Sequence, residues 1–216
     1  MIDLHTHTLF SDGVLLPSEL VYRAKYKGYK TIALTDHVDY STYDYVIPRI
    51  LRVAEILQVN YDIRVIAGVE ITYVPPKLIK DMASKCRLLG AKIIVVHGET
   101  VAETVPEGTN HYAVQAGIDV LAHPGHITEE DVLIAKNNNV CLEITTRNGH
   151  NATNKEVAAL ALRNGAKLVF DTDSHSPEDL MDKFKIKKTL SDAGIDLTNF
   201  DVMQENAYGI VKKIEG

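Results

Sequence analysis

Short apolar runs alternate with longer amphipathic stretches along the whole chain. The runs are rich in valine, isoleucine, leucine and alanine, a composition typical of parallel strands that are buried on both faces. Most of them are followed by a segment with helical periodicity. The predicted strands are 2–7, 31–37, 64–71, 92–97, 120–123, 140–146 and 167–173.

The amphipathic stretches predict helices, several of which begin near a proline or threonine and end at a glycine. They cover 17–27, 45–60, 76–89, 107–116, 128–137, 154–163 and 177–193. A last segment, 199–216, is predicted to form a closing strand and helix.

This alternation of strand and helix predicts one α/β domain over residues 1–216. Each strand–helix unit takes about 31 residues, and an eight-unit barrel typically needs about 250. Seven units in a barrel or strongly curved sheet are therefore favoured. A doubly wound open sheet has the same local pattern and is the alternative.

The amino-acid composition argues against several classes of protein. Cys86 and Cys141 are too few for a disulfide framework, so we expect a reducing, cytoplasmic location. No apolar run reaches the roughly 18 residues of a membrane span, and the first residues do not resemble a signal peptide. The net charge of −6 disfavours a general binder of nucleic-acid backbones, but does not exclude one if bound metal ions change the local sign.

Six of the nine histidines and two carboxylates fall at the carboxyl ends of predicted strands, where α/β enzymes build their sites. Side chains two positions apart on a strand point to the same side, so His5 pairs with His7 and Asp173 with His175. Burying such groups without partners would cost several kcal/mol. A metal cluster would satisfy them together, so the pattern predicts metal binding. The eight residues are His5, His7, His37, Glu70, His97, His123, Asp173 and His175.

An ordered set of motifs extends over nearly the whole chain and resembles the PHP (polymerase and histidinol phosphatase) domain family. The motifs are His5-Thr6-His7, Ser11-Asp12-Gly13, Thr35-Asp36-His37, Glu70, His97, His123 and Asp173-Ser174-His175. The resemblance implies a distorted (β/α)7 barrel with a trinuclear metal site.

Carried over residue by residue, the resemblance implies three divalent ions. The first is assigned to His5, His7, Glu70 and Asp173, the second to Glu70, His97 and His123, and the third to Asp12, His37 and His175. Asp12 has an alternative role as a turn residue. Mixed imidazole and carboxylate ligands suit zinc, manganese or iron without choosing among them.

The net charge of the proposed metal site indicates the kind of substrate it would bind. Three dications contribute +6 and three ligand carboxylates offset −3, so the site is cationic and suits a phosphate monoester. A water bridging the metals is expected to be acidified to hydroxide and to attack phosphorus.

Three residues near the strand ends are candidates for contacting the substrate. Arg147, just past the sixth strand, is predicted to hold phosphate, as in histidinol-phosphatase-type relatives; a surface ion pair is its alternative. His126 and His150 are candidates to protonate the leaving group or contact substrate, unless they are solvated loop residues. Glu143 is expected either to orient a metal ligand or to pair with Arg147.

The leading hypothesis is a metal-dependent phosphatase of a small phosphomonoester, with histidinol phosphate the first substrate to consider. The alternatives are a nucleotide or nucleic-acid phosphoesterase or exonuclease, and a non-catalytic metal-binding scaffold. No second phosphate-binding arginine can be identified in the sequence, and no inserted domain or basic groove sequence is evident.

Overall fold

The computed structural model describes residues 1–215. The strands are β1 (Ile2–Asp3), β2 (Thr31–Leu34), β3 (His37–Val38), β4 (Arg64–Ile71), β5 (Ile93–His97), β6 (Val120–Ala122), β7 (Cys141–Thr145) and β8 (Leu168–Asp171). The pairings among these strands are all parallel, in the order β1-β2-β4-β5-β6-β7-β8, with β3 paired to β4.

Within residues 1–215, eight α-helices pack around the sheet, and local sequence explains several of their ends. Thr128 caps the helix Glu129–Asn137 by accepting a hydrogen bond from the backbone N–H of Asp131, and the helix Asn154–Asn164 ends at Gly165 in the left-handed conformation (φ 68°). The helices are α1 (Pro17–Tyr26), α2 (Tyr43–Tyr61), α3 (Ile79–Leu88), α4 (Thr109–Ala113), α5 (Glu129–Asn137), α6 (Asn154–Asn164), α7 (Lys183–Asp192) and α8 (Thr198–Glu215).

The sheet is a nearly closed barrel of seven parallel strands. Leu34 pairs with Ala67 and His37 with Glu70, so β2 and β3 keep one register against β4 and form a single interrupted strand. The segments that follow the first and last strands meet in an isolated parallel bridge between Thr6 and Ser174. The predicted distorted (β/α)7 barrel is confirmed, and the open-sheet alternative is wrong.

The seam between β1 and β8 is joined largely by side chains. Asp171 Oδ1 accepts a hydrogen bond from Leu4 N (2.6 Å), and Asp3 Oδ2 accepts one from the hydroxyl of Thr172 (2.7 Å). Both carboxyl groups are buried, and burial raises the pKa of Asp3 to about 7. Just past the carboxyl ends of these two strands, His7 N donates a hydrogen bond to Ser174 O (2.8 Å).

The barrel interior is apolar at the amino ends of the strands. The interior cluster includes Leu4, Ala33, Ile66, Ile93, Val95, Val120, Ala122, Cys141 and Val169 from the strands, with Ala207, Ile210 and Val211 from α8. Helix α8 is tied to β1 because the Gln204 amide bonds Ile2 N (2.7 Å) and Ile2 O (3.0 Å). Helix α8 therefore packs against the apolar interior, away from the predicted site.

Besides the short β1 and the interruption between β2 and β3, three predicted elements differ clearly in the structure. No strand occurs in the described part of 199–216, because α8 runs through it; Gly216 lies outside the described residues. The helix predicted over 177–193 begins only at Lys183, where the Asp182 side chain accepts hydrogen bonds from two backbone N–H groups. The helix predicted over 107–116 is limited to Thr109–Ala113, since Gly108 adopts φ 88°. Across residues 1–215, no helix has the length and apolar character needed to cross a membrane.

Candidate metal centre

Side chains alternate between the two faces of each strand. The ones that point into the barrel are apolar at first and become ionisable towards the carboxyl ends of the strands. On β4 the inward series ends at Glu70, on β5 at His97, and on β7 it reaches Glu143. Space at this level is tight, because a Cβ on Gly68 would lie 2.2 Å from Ile93 Cγ2. The polar layer therefore lies directly on a closely packed apolar one.

The structure brings together all nine residues that the sequence suggested as metal ligands. They form four overlapping groups in which the ligand atoms lie within 4.8 Å of one another. The groups are His7, Asp12, His37 and His175; His5, His123 and Asp173; His5, His7 and Glu70; and His37, Glu70 and His97.

The His5 and His7 rings lie at the centre of the cluster. Their Nε2 atoms are 3.0 Å apart. His5 Nε2 is 3.3 Å from Glu70 Oε2, and His7 Nε2 is 3.2 Å from Asp173 Oδ1. Two imidazole nitrogens and two carboxylates around one point form a donor set that a divalent cation fits.

The cluster has a more exposed side at Asp12. Its Oδ1 lies 3.0 Å from His175 Nε2 and 3.5 Å from His37 Nε2. The Asp12 side chain is 57% exposed, whereas Glu70 is fully buried. This side is therefore the one from which a dissolved molecule reaches the cluster.

Several buried polar atoms at the centre have no hydrogen-bond partner within the described residues. They include both Glu70 oxygens, both His97 ring nitrogens, His123 Nδ1 and Asp173 Oδ1. Burying such groups without compensation costs several kcal/mol. Metal coordination would remove that cost, so the residues present fit a metal centre.

Electrostatics agree with this fit. Burial alone would raise the pKa of Glu70 and of Asp173, but neighbouring histidines hold both well below their usual range. Desolvation and the charge of His37 lower the pKa of His7 to about 3. Burial would also lower the pKa of His37, yet Glu70 raises it to about 9, and His5 is raised as well. A metal would displace protons from those two rings.

Groups behind the cluster orient its rings. Glu143 Oε1 lies 2.7 Å from His5 Nδ1, and its Oε2 accepts a hydrogen bond from His123 N (2.9 Å). His175 Nδ1 lies 2.9 Å from Asp173 O, which leaves its Nε2 towards Asp12. Such contacts fix the tautomer of a metal-binding histidine. Of the two expected roles for Glu143, the structure supports orientation of a ligand.

The backbone is strained at two of the nine residues. His123 and Asp173 adopt positive φ angles of 26° and 51°, which non-glycine residues rarely do. Strain of this kind concentrates at functional sites, where the surrounding structure holds it in place.

The three other predicted site residues lie at different distances from the cluster. Arg147 is at its rim, with Nε 3.9 Å from Asp173 Oδ2 and Nη1 3.7 Å from Asp179 Oδ2. His150 is buried, its ring 4.5 Å from that of His123. His126 is not brought to the cluster: its side chain is 69% exposed and its Nδ1 lies 2.7 Å from Glu156 Oε2.

Sequence reasoning missed a cleft beside the cluster and two of its residues. The cleft has a volume of about 480 Å³, and its lining includes His37, His97, Tyr73 and Glu103. The Tyr73 ring stacks on His97 with centroids 6.0 Å apart, and its hydroxyl donates to Glu103 Oε2 (3.3 Å). Both residues follow strands that carry ligands, which is the one signal the sequence contains for them.

A family model for the PHP domain matches residues 3–182. The chain belongs to the PHP domain family. This PHP protein is therefore assigned to the metal-dependent phosphoesterases, a class of hydrolases.

Curated relatives of this PHP protein differ in what their names state. An uncharacterized protein of Methanocaldococcus jannaschii is 49% identical over 195 residues, covering 89% of both chains. A probable phosphatase of Acetivibrio thermocellus is 27% identical, covering 81% of this chain and 79% of its own. A 5'-3' exoribonuclease of Haemophilus influenzae is 43% identical over 70 residues, only 32% of this chain and 23% of its own.

Solved structures share the fold at low sequence identity. A chain in the structure of archaeal ribonuclease P with mature tRNA superposes with a TM-score of 0.76 at 18% identity, covering 100% of this chain and 91% of its own. The metal-dependent tyrosine phosphatases of Bacillus subtilis and Streptococcus pneumoniae match with a TM-score of 0.59 at 18% identity, covering 100% and 93%. These likenesses concern the fold alone.

Proposed function

We propose that this PHP protein is a phosphatase of small phosphomonoesters that works with three divalent metal ions, and that histidinol phosphate is the first substrate to test. The proposal treats residues 1–216 as one domain in the cytoplasm, where its two free cysteines stay reduced. The convergence of nine potential ligands, several with buried atoms that lack hydrogen-bond partners, supports it most directly.

Three ions would be held by three sets of residues, the first two of which share Glu70. We assign His5, His7, Glu70 and Asp173 to the first, Glu70, His97 and His123 to the second, and Asp12, His37 and His175 to the third. Zinc, manganese and iron all suit such ligands.

Bound divalent ions would supply Lewis acidity, lowering the pKa of water and offsetting the charge of phosphoryl oxygens. The protein's own part is to position the substrate. We assign a phosphate contact to Arg147, because its guanidinium lies at the rim beside Asp173 and can form two parallel hydrogen bonds to phosphate oxygens.

We assign contact with the leaving group to His150. It is buried beside His123 and His97, and its Nδ1 has no hydrogen-bond partner among the described residues. His126 was proposed for the same role from sequence, but its exposed pairing with Glu156 gives that role less support.

A phosphate-release screen tests the proposal. The protein is loaded separately with zinc, manganese and iron, its metal content is measured, and it is offered histidinol phosphate, sugar phosphates and nucleotides. We expect about three ions per chain and the highest kcat/KM on a small phosphomonoester. Fully loaded protein that releases phosphate from none of them contradicts the proposal.

The similarity to a 5'-3' exoribonuclease over 70 residues supports a second candidate, a nucleotide or nucleic-acid phosphoesterase. The two candidates differ in how they respond to competitors. Single-stranded RNA or DNA in excess should compete strongly with a small phosphomonoester only if a nucleic acid is the substrate. Weak competition, together with no release of nucleotides from labelled strands, favours the small-molecule phosphatase.

A further inference from the structure

We propose that Asp36, which is not one of the nine potential ligands, is a positioning residue that allows the third ion to bind, because it holds the loop that carries Asp12. The inference rests on the three-ion centre of the proposed function and adds the residue that controls retention of one ion. The Asp12 loop is residues 8–13, between β1 and α1.

Asp12 is held differently from Glu70 and His97. Those two residues lie in the paired strands β4 and β5, whereas Asp12 lies in a loop and its side chain is 57% exposed. Strand pairing therefore fixes Glu70 and His97, but contacts of the loop must fix Asp12. They must keep its Oδ1 beside His175 Nε2 and His37 Nε2, at the observed 3.0 and 3.5 Å.

Thr8 is the fixed point of the Asp12 loop. Its backbone oxygen accepts hydrogen bonds from Ser11 N (3.1 Å) and Gly13 N (3.0 Å). These two residues flank Asp12 in the sequence. A Cβ on Gly13 would lie 2.5 Å from His7 O, so the loop folds closely onto the chain that leaves β1. Whatever holds Thr8 therefore also sets the position of Asp12.

The Asp36 carboxylate holds Thr8. Its Oδ1 accepts hydrogen bonds from Thr8 N (2.7 Å) and from the Ser11 hydroxyl (2.8 Å). The Thr8 hydroxyl lies within hydrogen-bond distance of both Asp36 oxygens, at 3.0 and 2.9 Å. Asp36 and Thr8 are both fully buried, and hydrogen bonds away from water are electrostatically stronger than hydrogen bonds in water. The loop is therefore anchored to a single buried side chain.

Asp36 also joins the Asp12 loop to the strands that carry two other ligands. It lies in the interruption between β2 and β3, and its backbone oxygen accepts a hydrogen bond from Glu70 N (3.1 Å). The next residue is His37, which belongs to the third set together with Asp12. The backbone of Asp36 thus stays paired with β4 while its side chain holds the loop. One residue therefore fixes the loop ligand relative to the strand ligand of the third ion.

The ligands of the first two ions depend less on this loop. Glu70 is fully buried within β4. His7 directly precedes the loop, and its Nδ1 lies 3.4 Å from Ser11 Oγ, but its backbone N–H is held independently by Ser174 O (2.8 Å). Loss of the Asp36 contacts should therefore release the third ion and retain the other two.

Metal content measured in zinc buffers tests the inference without relying on turnover. Each protein is dialysed to equilibrium against a series of free zinc concentrations, and the bound zinc is counted by mass spectrometry. Circular dichroism checks that each variant is folded. We expect the wild type to reach three ions per chain. In Asp36→Ala the third ion should bind about 10- to 100-fold more weakly, while the first two bind as in the wild type.

Three further variants separate position from charge and from folding. Asp36→Asn keeps an acceptor oxygen for Thr8 N and the Ser11 hydroxyl, and the Thr8 hydroxyl can rotate to accept from the NH2 group, so this variant should bind the third ion close to wild-type affinity. Thr8→Val removes only the hydroxyl contacts and should weaken the third ion by about two- to tenfold. Asp196→Ala is the matched control, because its exposed carboxylate also accepts from the N–H and hydroxyl of one threonine, Thr198. It should bind three ions as the wild type does.

The outcomes separate this inference from the proposed function. A folded Asp36→Ala protein that keeps three ions at wild-type affinity, or loses all three alike, overturns the inference. If that variant does not fold, unchanged third-ion affinity in Thr8→Val overturns it. An equal loss in Asp36→Asn or in Asp196→Ala overturns it as well, because charge or general destabilisation would then account for the effect.

Phosphate release by the wild type in any of these cases retains the phosphatase. Selective loss of the third ion in Asp36→Ala, together with no phosphate release by the fully loaded wild type, retains the positioning role and refutes the phosphatase. A wild type that never reaches three ions refutes the three-ion centre and this inference together.

Discussion

Glu143→Gln changes the carboxylate that orients His5 while conserving shape. The buried carboxylate accepts from two donors, His5 Nδ1 at 2.7 Å and His123 N at 2.9 Å. Glutamine offers one oxygen and one NH2 group, so one donor must lose its acceptor. A buried donor left without a partner costs about 1–3 kcal/mol. If the NH2 group faces His5, the ring proton moves to Nε2, the atom that faces the cluster.

Either arrangement should weaken metal binding by about 10- to 100-fold, the usual effect of removing a partner of a metal-binding histidine. Competition between the protein and a fluorescent zinc chelator measures the change. Glu156→Gln is the matched control, because its carboxylate also lies 2.7 Å from a histidine Nδ1 but on the exposed His126. Zinc affinity that is unchanged in Glu143→Gln would refute the reasoning, as would an equal loss in both variants.

Four further predictions concern the cluster, its rim and the two buried cysteines. Asp173→Asn or His7→Ala should remove metal and phosphatase activity together; a variant with full metal content and full activity contradicts the ligand assignment. Arg147→Ala should lower kcat/KM for the phosphomonoester by about 10- to 100-fold with metal content intact, and unchanged kinetics would exclude Arg147 from substrate binding. Burial raises the pKa of both Cys86 and Cys141 to about 12, so Ellman's reagent at pH 8 should find no reactive thiol until the protein is unfolded. An unfolded thiol ionises near pH 9, whereas the two buried thiols stay protonated up to about pH 12. The free energy of unfolding should therefore fall as the pH rises from about 9 towards 12.

The strands, and the gathering of eight of the nine candidate ligands, could be predicted because both follow from local rules, whereas Asp12 was suggested only by the family resemblance. Near-continuous apolar runs mark strands buried on both faces, and parallel strands gather their carboxyl ends at one side of the sheet. The positions of Glu70 and His97 follow from this regularity. The short β1 does not, because side-chain contacts across the seam replace part of its backbone pairing, and the interruption between β2 and β3 does not either.

Loop residues could not be placed from the sequence. His126 and His150 both follow strand ends, yet one is exposed beside Glu156 and the other is buried against His123. The difference depends on how neighbouring loops pack, which periodicity does not encode. Glu103 and Tyr73 were missed for the same reason. The strand predicted within 199–216 was wrong, because the apolar residues of this segment fit both a strand and the helix that covers the barrel interior.

The seam between β1 and β8 joins the beginning of the chain to a point about 170 residues later. His5 and His7 lie on one side of it, and Asp173 and His175 on the other. A cation held by His5, His7 and Asp173 would therefore cross-link the barrel much as a disulfide does, and cross-links that close long loops restrict the unfolded chain most in the simplest model. Chelators should then speed unfolding as well as stop catalysis, with the barrel opening first along this line.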